Sequence, residues 1–371
     1  MKVSRLERMV YFQSMSHNTT RVAINGFGRI GRLFFKLALQ NKNLEIVAIN
    51  DLGDLHNMAY LLEHDSVQKE LNNHAVKTEV ISENEQYLHV GDKKIRFYSI
   101  RNPEELPWRE MDIDVVTECT GIFTSFEKSN MHLKAGAKRV VISGPTKDDQ
   151  GTEFDSGKIG ATVLMGVNDE QVKTCAITSN ASCTTNAAGS PLDVMRNTVG
   201  VEYALLNTIH SYTATQSIVD GPVKPGKTDY RKGRAAAVNI IPSTTGSAIA
   251  TTKVIPELKN RFDGIAIRVP SVSGSIVDIT FVAKRETTAE EVNNIFRTAA
   301  ASNQYKGLLR VEEEQVVSSD IIGDTHVAII DPAFTKVVGN LVKILAWYDN
   351  EAGYSASLVR QVERMGASIR G

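Results

Sequence analysis

The stretch that most constrains this chain is Asn25-Gly26-Phe27-Gly28-Arg29-Ile30-Gly31, which joins a short apolar run, residues 21–25, to a helical period through Leu33, Phe34, Leu37 and Ala38. A strand, a Gly-x-Gly-x-x-Gly turn and a helix in that order open a βαβ unit and commit the chain to an α/β fold with a parallel sheet. The first glycine permits the tight turn, the second lets the backbone approach a pyrophosphate, and the third allows the helix to pack closely on the strand. Phosphates then lie at the helix N-terminus. A second apolar run, residues 44–50, ends at Asp51, about twenty residues beyond the last glycine, where a carboxylate accepts from a ribose 2′-hydroxyl. A carboxylate there repels a 2′-phosphate, and Leu52 offers no ligand for one, so the pattern predicts NAD rather than NADP. A plain glycine-rich turn would account for the glycines but not for the flanking strand, helix and acidic residue in register.

The rest of the first half alternates in the same way. A helix is predicted over 57–63, strands over 77–82, 87–90, 93–100, 115–119 and 139–143, and an amphipathic helix through Phe126, Met131 and Leu133. Thr120-Gly121 and Ser143-Gly144-Pro145 close two of these strands with small residues, as suits the ligand-bearing carboxyl edge of an open α/β sheet. Beyond residue 183 the pattern changes to strands over 201–209, 264–269, 275–283, 327–330 and 341–347, with few crossover helices. In the 275–283 run, Val277, Ile279 and Phe281 share one face. Tyr354, Leu358, Val362 and Met365 mark a closing amphipathic helix. A length of 371 residues accommodates two domains. The expected architecture is α/β: a Rossmann-type dinucleotide-binding domain, residues 21–182 completed by 350–371, and an α+β catalytic domain with a mostly antiparallel sheet, residues 183–349. Residues 1–20 form an N-terminal extension in which Tyr11-Phe12-Gln13-Ser14-Met15 looks like the remnant of a cleavable tag linker.

Charge excludes several partners. With 42 Lys and Arg against 43 Asp and Glu the balance is −1, which gives no electrostatic case for nucleic acid or a membrane surface. No apolar run has the length of a membrane span, and no secretory leader is legible. Cys119, Cys175 and Cys183 make neither a complete disulfide set nor zinc-ligand spacing, so no metal is expected and a reducing cytoplasm is the natural location.

The chemistry centres on Ser179-Asn180-Ala181-Ser182-Cys183-Thr184-Thr185-Asn186, a strand end running into a helix predicted to begin at Thr184, to be interrupted at Pro191 and to end at Gly200. A thiol at a helix N-terminus meets free backbone N–H groups and the positive end of the macrodipole, which favour a thiolate. A buried structural cysteine is the alternative. Cys119 and Cys175 read as structural in this way. A nucleophilic Cys183 needs a proton acceptor, and His210 ends the 201–209 strand beside small hydroxyl residues. Satisfying a strand end is its alternative role. Joined to a dinucleotide site, the pair suggests aldehyde oxidation: sulfur adds to a carbonyl, a hydride departs and a thioester remains.

Asn25 to Arg32, Ser179 to Asn186, Arg268-Val269-Pro270 and Trp347-Tyr348-Asp349-Asn350-Glu351 together resemble the phosphorylating glyceraldehyde-3-phosphate dehydrogenases, from about residue 21 to the C-terminus. The resemblance implies Cys183 as nucleophile and His210 as its base. It implies NAD held by Asn25, Gly26, Phe27, Gly28, Arg29, Ile30, Gly31, Asp51, Arg101, Thr120, Gly121, Ser143, Asn350 and Tyr354, with Asn350 on the nicotinamide carboxamide. The phosphate of glyceraldehyde 3-phosphate would meet Thr213 and Arg268, and inorganic phosphate would sit near Ser182, Thr184, Thr245 and Gly246. Taken singly, Arg268 could equally bridge strands and Thr245-Gly246 could be an ordinary turn. A homotetramer is also implied, with the basic loop 215–238 lying against a neighbouring subunit.

The chain departs from the family pattern at Ala187, where many relatives carry a second cysteine, at Ala352, and in a slightly expanded Pro225-Gly226-Lys227 region. Erythrose-4-phosphate dehydrogenase shares the Cys–His chemistry and is the nearest rival. A semialdehyde dehydrogenase is disfavoured by Asp51, and a binding scaffold would have no need of Cys183 and His210.

Overall fold

The computed structural model describes residues 19–370 except 70, 72, 73, 156, 224 and 227. Most of the N-terminal extension, and Lys224 and Lys227 of the basic loop, therefore lie outside the described residues.

The first sheet contains β1 (Thr20–Asn25), β2 (Leu44–Asn50), β3 (Val76–Ser82), β4 (Glu85–Val90), β5 (Lys93–Tyr98), β6 (Val115–Glu118), β7 (Arg139–Ile142), β8 (Thr152–Phe154), β9 (Lys158–Thr162) and β10 (Ile177–Ser179). Their order is β3-β4-β5-β2-β1-β6-β7-β10-β9-β8, parallel from β5 to β9. Asn25 pairs with Asn50 on one side and Glu118 on the other, and Ser179 with Ile142. The carboxyl ends are thus level, and the residues that follow them, Gly26, Asp51, Thr120, Ser143 and Asn180, emerge along one edge.

Helices α1 (Arg29–Ala38), α2 (Leu55–Glu63) and α3 (Phe126–Lys134) belong to this half. The last helix of the chain returns to it: Leu358, Val359, Val362 and Met365 are buried with Val22, Ile24, Phe34 and Phe35. Trp108, Phe126, Ile142 and Ile177 fill the opposite face.

The second sheet contains β11 (Tyr203–Ser211), β12 (Ile241–Thr244), β13 (Phe262–Val269), β14 (Ser275–Val282), β15 (Leu309–Val311), β16 (Ala328–Val338) and β17 (Leu341–Tyr348), in the order β12-β13-β11-β14-β17-β16-β15. The β11–β13 and β15–β16 pairs are parallel and the other four pairs antiparallel. Helices α4 (Cys183–Arg196), α5 (Ser247–Val254), α6 (Ala289–Ala301) and α7 (Ala352–Arg370) complete the chain. As the alternation predicts, Val277, Ile279 and Phe281 are buried, against Ala187, Ala188, Leu192 and Phe296. Truncating such a residue costs about 2–5 kcal/mol.

Several elements differ from expectation. α4 starts at Cys183 and runs through Pro191 to Arg196, stopping short of Gly200. Ala187, Ala188, Leu192 and Met195 are buried on both sides of the proline, and that packing holds the helix across the missing hydrogen bond. β12 was not predicted because Pro242 argues against a strand, and β12 is at the sheet edge, where proline is tolerated. β8, β9 and β15 are short, and α5 (SAIATTKV) has too weak a polar–apolar period to be read.

Candidate active site

Cys183 is carried by the turn between β10 and α4. Ala181 adopts a left-handed φ of 53°, unusual without glycine, and Ser182 caps α4 by accepting from Thr185 N at 3.1 Å. The turn is braced from both sides. Asn186 Nδ2 donates to the carbonyls of Asn180 at 2.9 Å and Ser182 at 3.1 Å, and Ser357 Oγ on α7 lies 3.1 Å from both Asn180 Oδ1 and Asn186 Oδ1. Tyr354 OH donates to the Ala181 carbonyl at 3.2 Å. Tyr354, expected among the cofactor residues, is buried and supports the nucleophile turn, with Ser143 Oγ at 3.4 Å from its hydroxyl.

β11 delivers His210 to the same place, with Nε2 3.3 Å from Cys183 Sγ. Nδ1 lies 2.6 Å from the Ser211 carbonyl and 2.5 Å from Arg268 Nη1; a proton on Nδ1 given to that carbonyl leaves the Nε2 lone pair facing sulfur. Arg268 stands opposite His210 on β13 and donates from Nη1 to the same carbonyl at 3.0 Å. Beneath the pair, buried Tyr348 bonds Thr208 Oγ1 at 2.8 Å and Thr184 Oγ1 at 3.0 Å.

Burial pushes the His210 imidazole down to about 3, and the Arg268 charge adds to the effect while the Ser211 carbonyl opposes it. Burial also pushes the Cys183 thiol up, against the pull of Arg268, Thr184 and the backbone at the helix start. The helix N-terminus therefore acts in the expected direction but is outweighed by burial.

The residues expected around phosphate lie at a junction of two helix starts. Gly246 caps α5 without a side chain, Thr245 Oγ1 accepts from Ser247 N at 3.1 Å, and Thr185 Oγ1 donates to Ser247 Oγ at 3.3 Å, tying α5 to α4. First-turn N–H groups of both helices suit an anion. Thr184 is buried at the start of α4, and its hydroxyl bonds Tyr348 OH at 3.0 Å. Thr213 Oγ1 pairs with Thr215 Oγ1 at 2.9 Å in the loop after β11.

At the dinucleotide edge each glycine has a distinct reason. Gly26 has φ 95°, and a Cβ there would stand 2.6 Å from Thr120 N; one on Gly31 would stand 2.1 Å from the Gly26 carbonyl. At Gly28, which caps α1 with no side chain, a Cβ would meet nothing within 4 Å. That opening at a helix N-terminus fits a pyrophosphate. Asp51 accepts from Phe27 N at 2.6 Å and Gly53 N at 2.8 Å, so its carboxylate fixes the glycine loop. Phe27 is buried, with its N–H given to Asp51 and its carbonyl accepting from Arg32 Nη1 at 2.9 Å, and Ile30 is half-buried. Arg29 forms an ion pair with Glu351, Arg101 is exposed, and Gly121 has φ 70° on the exposed edge.

Asn25 ends β1 directly before the glycine loop. Its side chain is buried under the loop, donating to Glu118 Oε2 at 2.5 Å and accepting from Asn50 Nδ2 at 2.7 Å. Glu118 also receives Thr120 N at 2.8 Å and lies 3.1 Å from His132 Nε2, whose Nδ1 accepts from Trp108 at 3.1 Å. Sequence reading missed Glu118 and His132; charged or titratable residues inside otherwise apolar runs were the available signal. Asn350 is buried at the β17–α7 junction, where its Oδ1 accepts from Ser275 Oγ at 2.9 Å.

Among the described residues no group of three or more His, Cys, Asp or Glu is placed to hold a metal, and no helix is long and apolar enough to cross a membrane.

A Rossmann-type sheet with an open glycine cradle, joined to a mixed sheet that brings a histidine onto a cysteine, defines an NAD-dependent oxidoreductase. Residues 20–126 match the family model for the glyceraldehyde 3-phosphate dehydrogenase NAD binding domain, and residues 182–350 match that for its C-terminal domain. The chain is 45% identical over 345 residues to glyceraldehyde-3-phosphate dehydrogenase of Streptomyces coelicolor, covering 92% of this chain and 97% of that protein. It is 42% identical over 354 residues to glyceraldehyde-3-phosphate dehydrogenase 2 of Staphylococcus aureus, covering 95% and 97%. It is 42% identical over 358 residues to glyceraldehyde-3-phosphate dehydrogenase of Mycobacterium avium, covering 95% and 100%. The chain belongs to the glyceraldehyde 3-phosphate dehydrogenase family, and its cofactor is NAD.

Proposed function

We propose that this enzyme oxidises D-glyceraldehyde 3-phosphate and phosphorylates the product to 1,3-bisphosphoglycerate, in glycolysis or gluconeogenesis. The observation that carries the reading is the 3.3 Å contact between Cys183 Sγ and His210 Nε2 at a helix start, with a second helix start tied alongside. Cys183 sulfur attacks the aldehyde carbon while His210 Nε2 takes the thiol proton and returns it to the new alkoxide, giving a hemithioacetal. NAD, when bound, supplies the acceptor for the hydride. As the hydride leaves, His210 removes the hydroxyl proton and the carbonyl re-forms as a thioester on Cys183. Inorganic phosphate attacks that carbonyl, the carbon–sulfur bond breaks, and His210 returns the proton to sulfur.

Thr213 and Arg268 would hold the substrate's own phosphate, Arg268 as a planar fork. Ser182, Thr184, Thr245 and Gly246 would hold the attacking phosphate. The glycine loop and Asp51 would hold the ADP-ribose part, and Asn350 the nicotinamide carboxamide. The packing of α7 on the first sheet supports a division into residues 21–182 with 350–371 and residues 183–349. Tyr203, Leu205, Ile265 and Leu341 are exposed on the second sheet, an apolar face that suits further copies of the chain in a homotetramer. A cytoplasmic location agrees with three unpaired cysteines.

NADH formation from glyceraldehyde 3-phosphate and NAD, with phosphate present and then withheld, tests the reading. Sustained turnover only with phosphate is expected. Sustained turnover without it means that water is the acyl acceptor and puts an erythrose-4-phosphate-type reaction in its place.

A further inference from the structure

Asn350 presents two chemically opposite ends, a carbonyl oxygen and an amide NH2, and something must decide which of them faces a ligand. Its backbone is fixed by its neighbour. Asp349 is fully buried; its Oδ1 accepts from Ser273 Oγ at 2.8 Å, Glu351 N at 2.8 Å and Ala352 N at 3.1 Å. Its Oδ2 accepts from Gln68 Nε2 and Gly323 N, both at 2.8 Å. With the main chain held by five donors, the orientation of the Asn350 side chain is left to the group that touches it.

That group is Ser275. Its hydroxyl accepts from Ser211 N at 3.1 Å, so its own proton goes to Asn350 Oδ1 at 2.9 Å. A hydroxyl has one proton to give, and the backbone N–H of Ser211 occupies an acceptor lone pair. With that proton on Asn350 Oδ1, the amide keeps its oxygen on Ser275 and leaves Nδ2, a donor, for whatever it binds. Ser211 is also the residue whose carbonyl meets His210 Nδ1. One serine thus joins the amide of Asn350 to the strand end that orients the catalytic histidine.

We infer that Ser275 is a positioning residue: it fixes the Asn350 amide with its NH2 outward, so that the group recognised is a carbonyl oxygen of the cofactor, and it ties that orientation to the His210 strand end. The inference rests on the reading of Asn350 as the nicotinamide holder. A purely structural serine would affect all ligands of the dinucleotide site alike, whereas a positioning one affects only those that carry the nicotinamide.

The test compares binding of NAD with binding of ADP-ribose, which lacks nicotinamide, by titration calorimetry on the full chain. Asn350→Ala is expected to weaken NAD about tenfold and leave ADP-ribose unchanged. Ser275→Ala is expected to do the same, and the double variant is expected to lose no more than either single one, because the two residues act through one contact. ADP-ribose binding also reports that each variant is folded. If Asn350→Ala leaves NAD binding intact, the reading of Asn350 falls and the inference with it. If Asn350→Ala weakens NAD while Ser275→Ala does not, weakens ADP-ribose equally, or adds its loss to that of Asn350→Ala, the reading stands and the role of Ser275 is overturned.

Discussion

His210 and Arg268 stand opposite one another in the parallel β11–β13 pair, and a single backbone carbonyl, that of Ser211, meets both: 2.6 Å from Nδ1 and 3.0 Å from Nη1. The shared acceptor brings a permanent positive charge beside the imidazole. That charge favours a thiolate on Cys183 and disfavours an imidazolium on His210. Binding an anionic phosphate on Arg268 would offset it and make His210 a better base when substrate is present.

Removing the charge should therefore move His210 upward. Arg268→Ala is expected to raise the pH at which His210 protonates in the free protein, followed by NMR of the imidazole, and to raise the KM for the phosphorylated aldehyde more than tenfold, as loss of a charge-assisted contact does. An unmoved histidine resonance would contradict the electrostatic account.

The pH dependence of Cys183 alkylation tests the coupling of the pair. Burial holds the thiol up, so a thiolate gains from an imidazolium partner; with that partner absent it must wait for higher pH. His210→Asn is expected to shift the rate of iodoacetamide reaction toward alkaline pH by at least about one pH unit. A profile that coincides with the unaltered enzyme would show that the helix start alone sets the thiol.

Asp51 accepts from Phe27 N and Gly53 N and is proposed to meet the ribose, so Asp51→Ala is expected to relax the preference for NAD over NADP and also to lower affinity for both cofactors. An unchanged NAD to NADP ratio would refute its role in selection.

The left-handed turn at Ala181 admits a stability test. Ala181→Gly is expected to change the melting temperature little, since relief of strain offsets added unfolded-state freedom. Ala181→Val is expected to cost about 2 kcal/mol or more and to lower turnover by displacing Cys183, because a branched side chain is strained at this φ. Equal melting temperatures for the two variants would count against a strained turn.

How much of this was legible in the sequence depends on range. Gly26, Gly28, Gly31 and Asp51 announce themselves because their task is local: a positive φ, a clash with the next turn, a strand end in register. Cys183 and His210 could be named from chemistry, but their contact spans 27 positions and comes from the pairing of separate elements. Ser211 and Ser275 left no signal of their own, since a serine at a strand end looks the same whether it is solvated or braces a site. Motif alone marks Asn25 and Thr184, and their partners Glu118 and Tyr348 come from distant strands that it does not announce. The same limit applies to Pro191, where burial against the second sheet carries the helix through a residue that usually breaks it.

The central claim is a covalent one, that oxidation leaves the substrate on Cys183 as a thioester. The most direct measurement is the intact mass, followed by peptide mapping, of enzyme given glyceraldehyde 3-phosphate and NAD without phosphate. The account predicts a single acyl group on the peptide containing Cys183, lost when phosphate is added and absent from Cys183→Ser. NADH formation with no acyl group on Cys183, or with one on another residue, would contradict it.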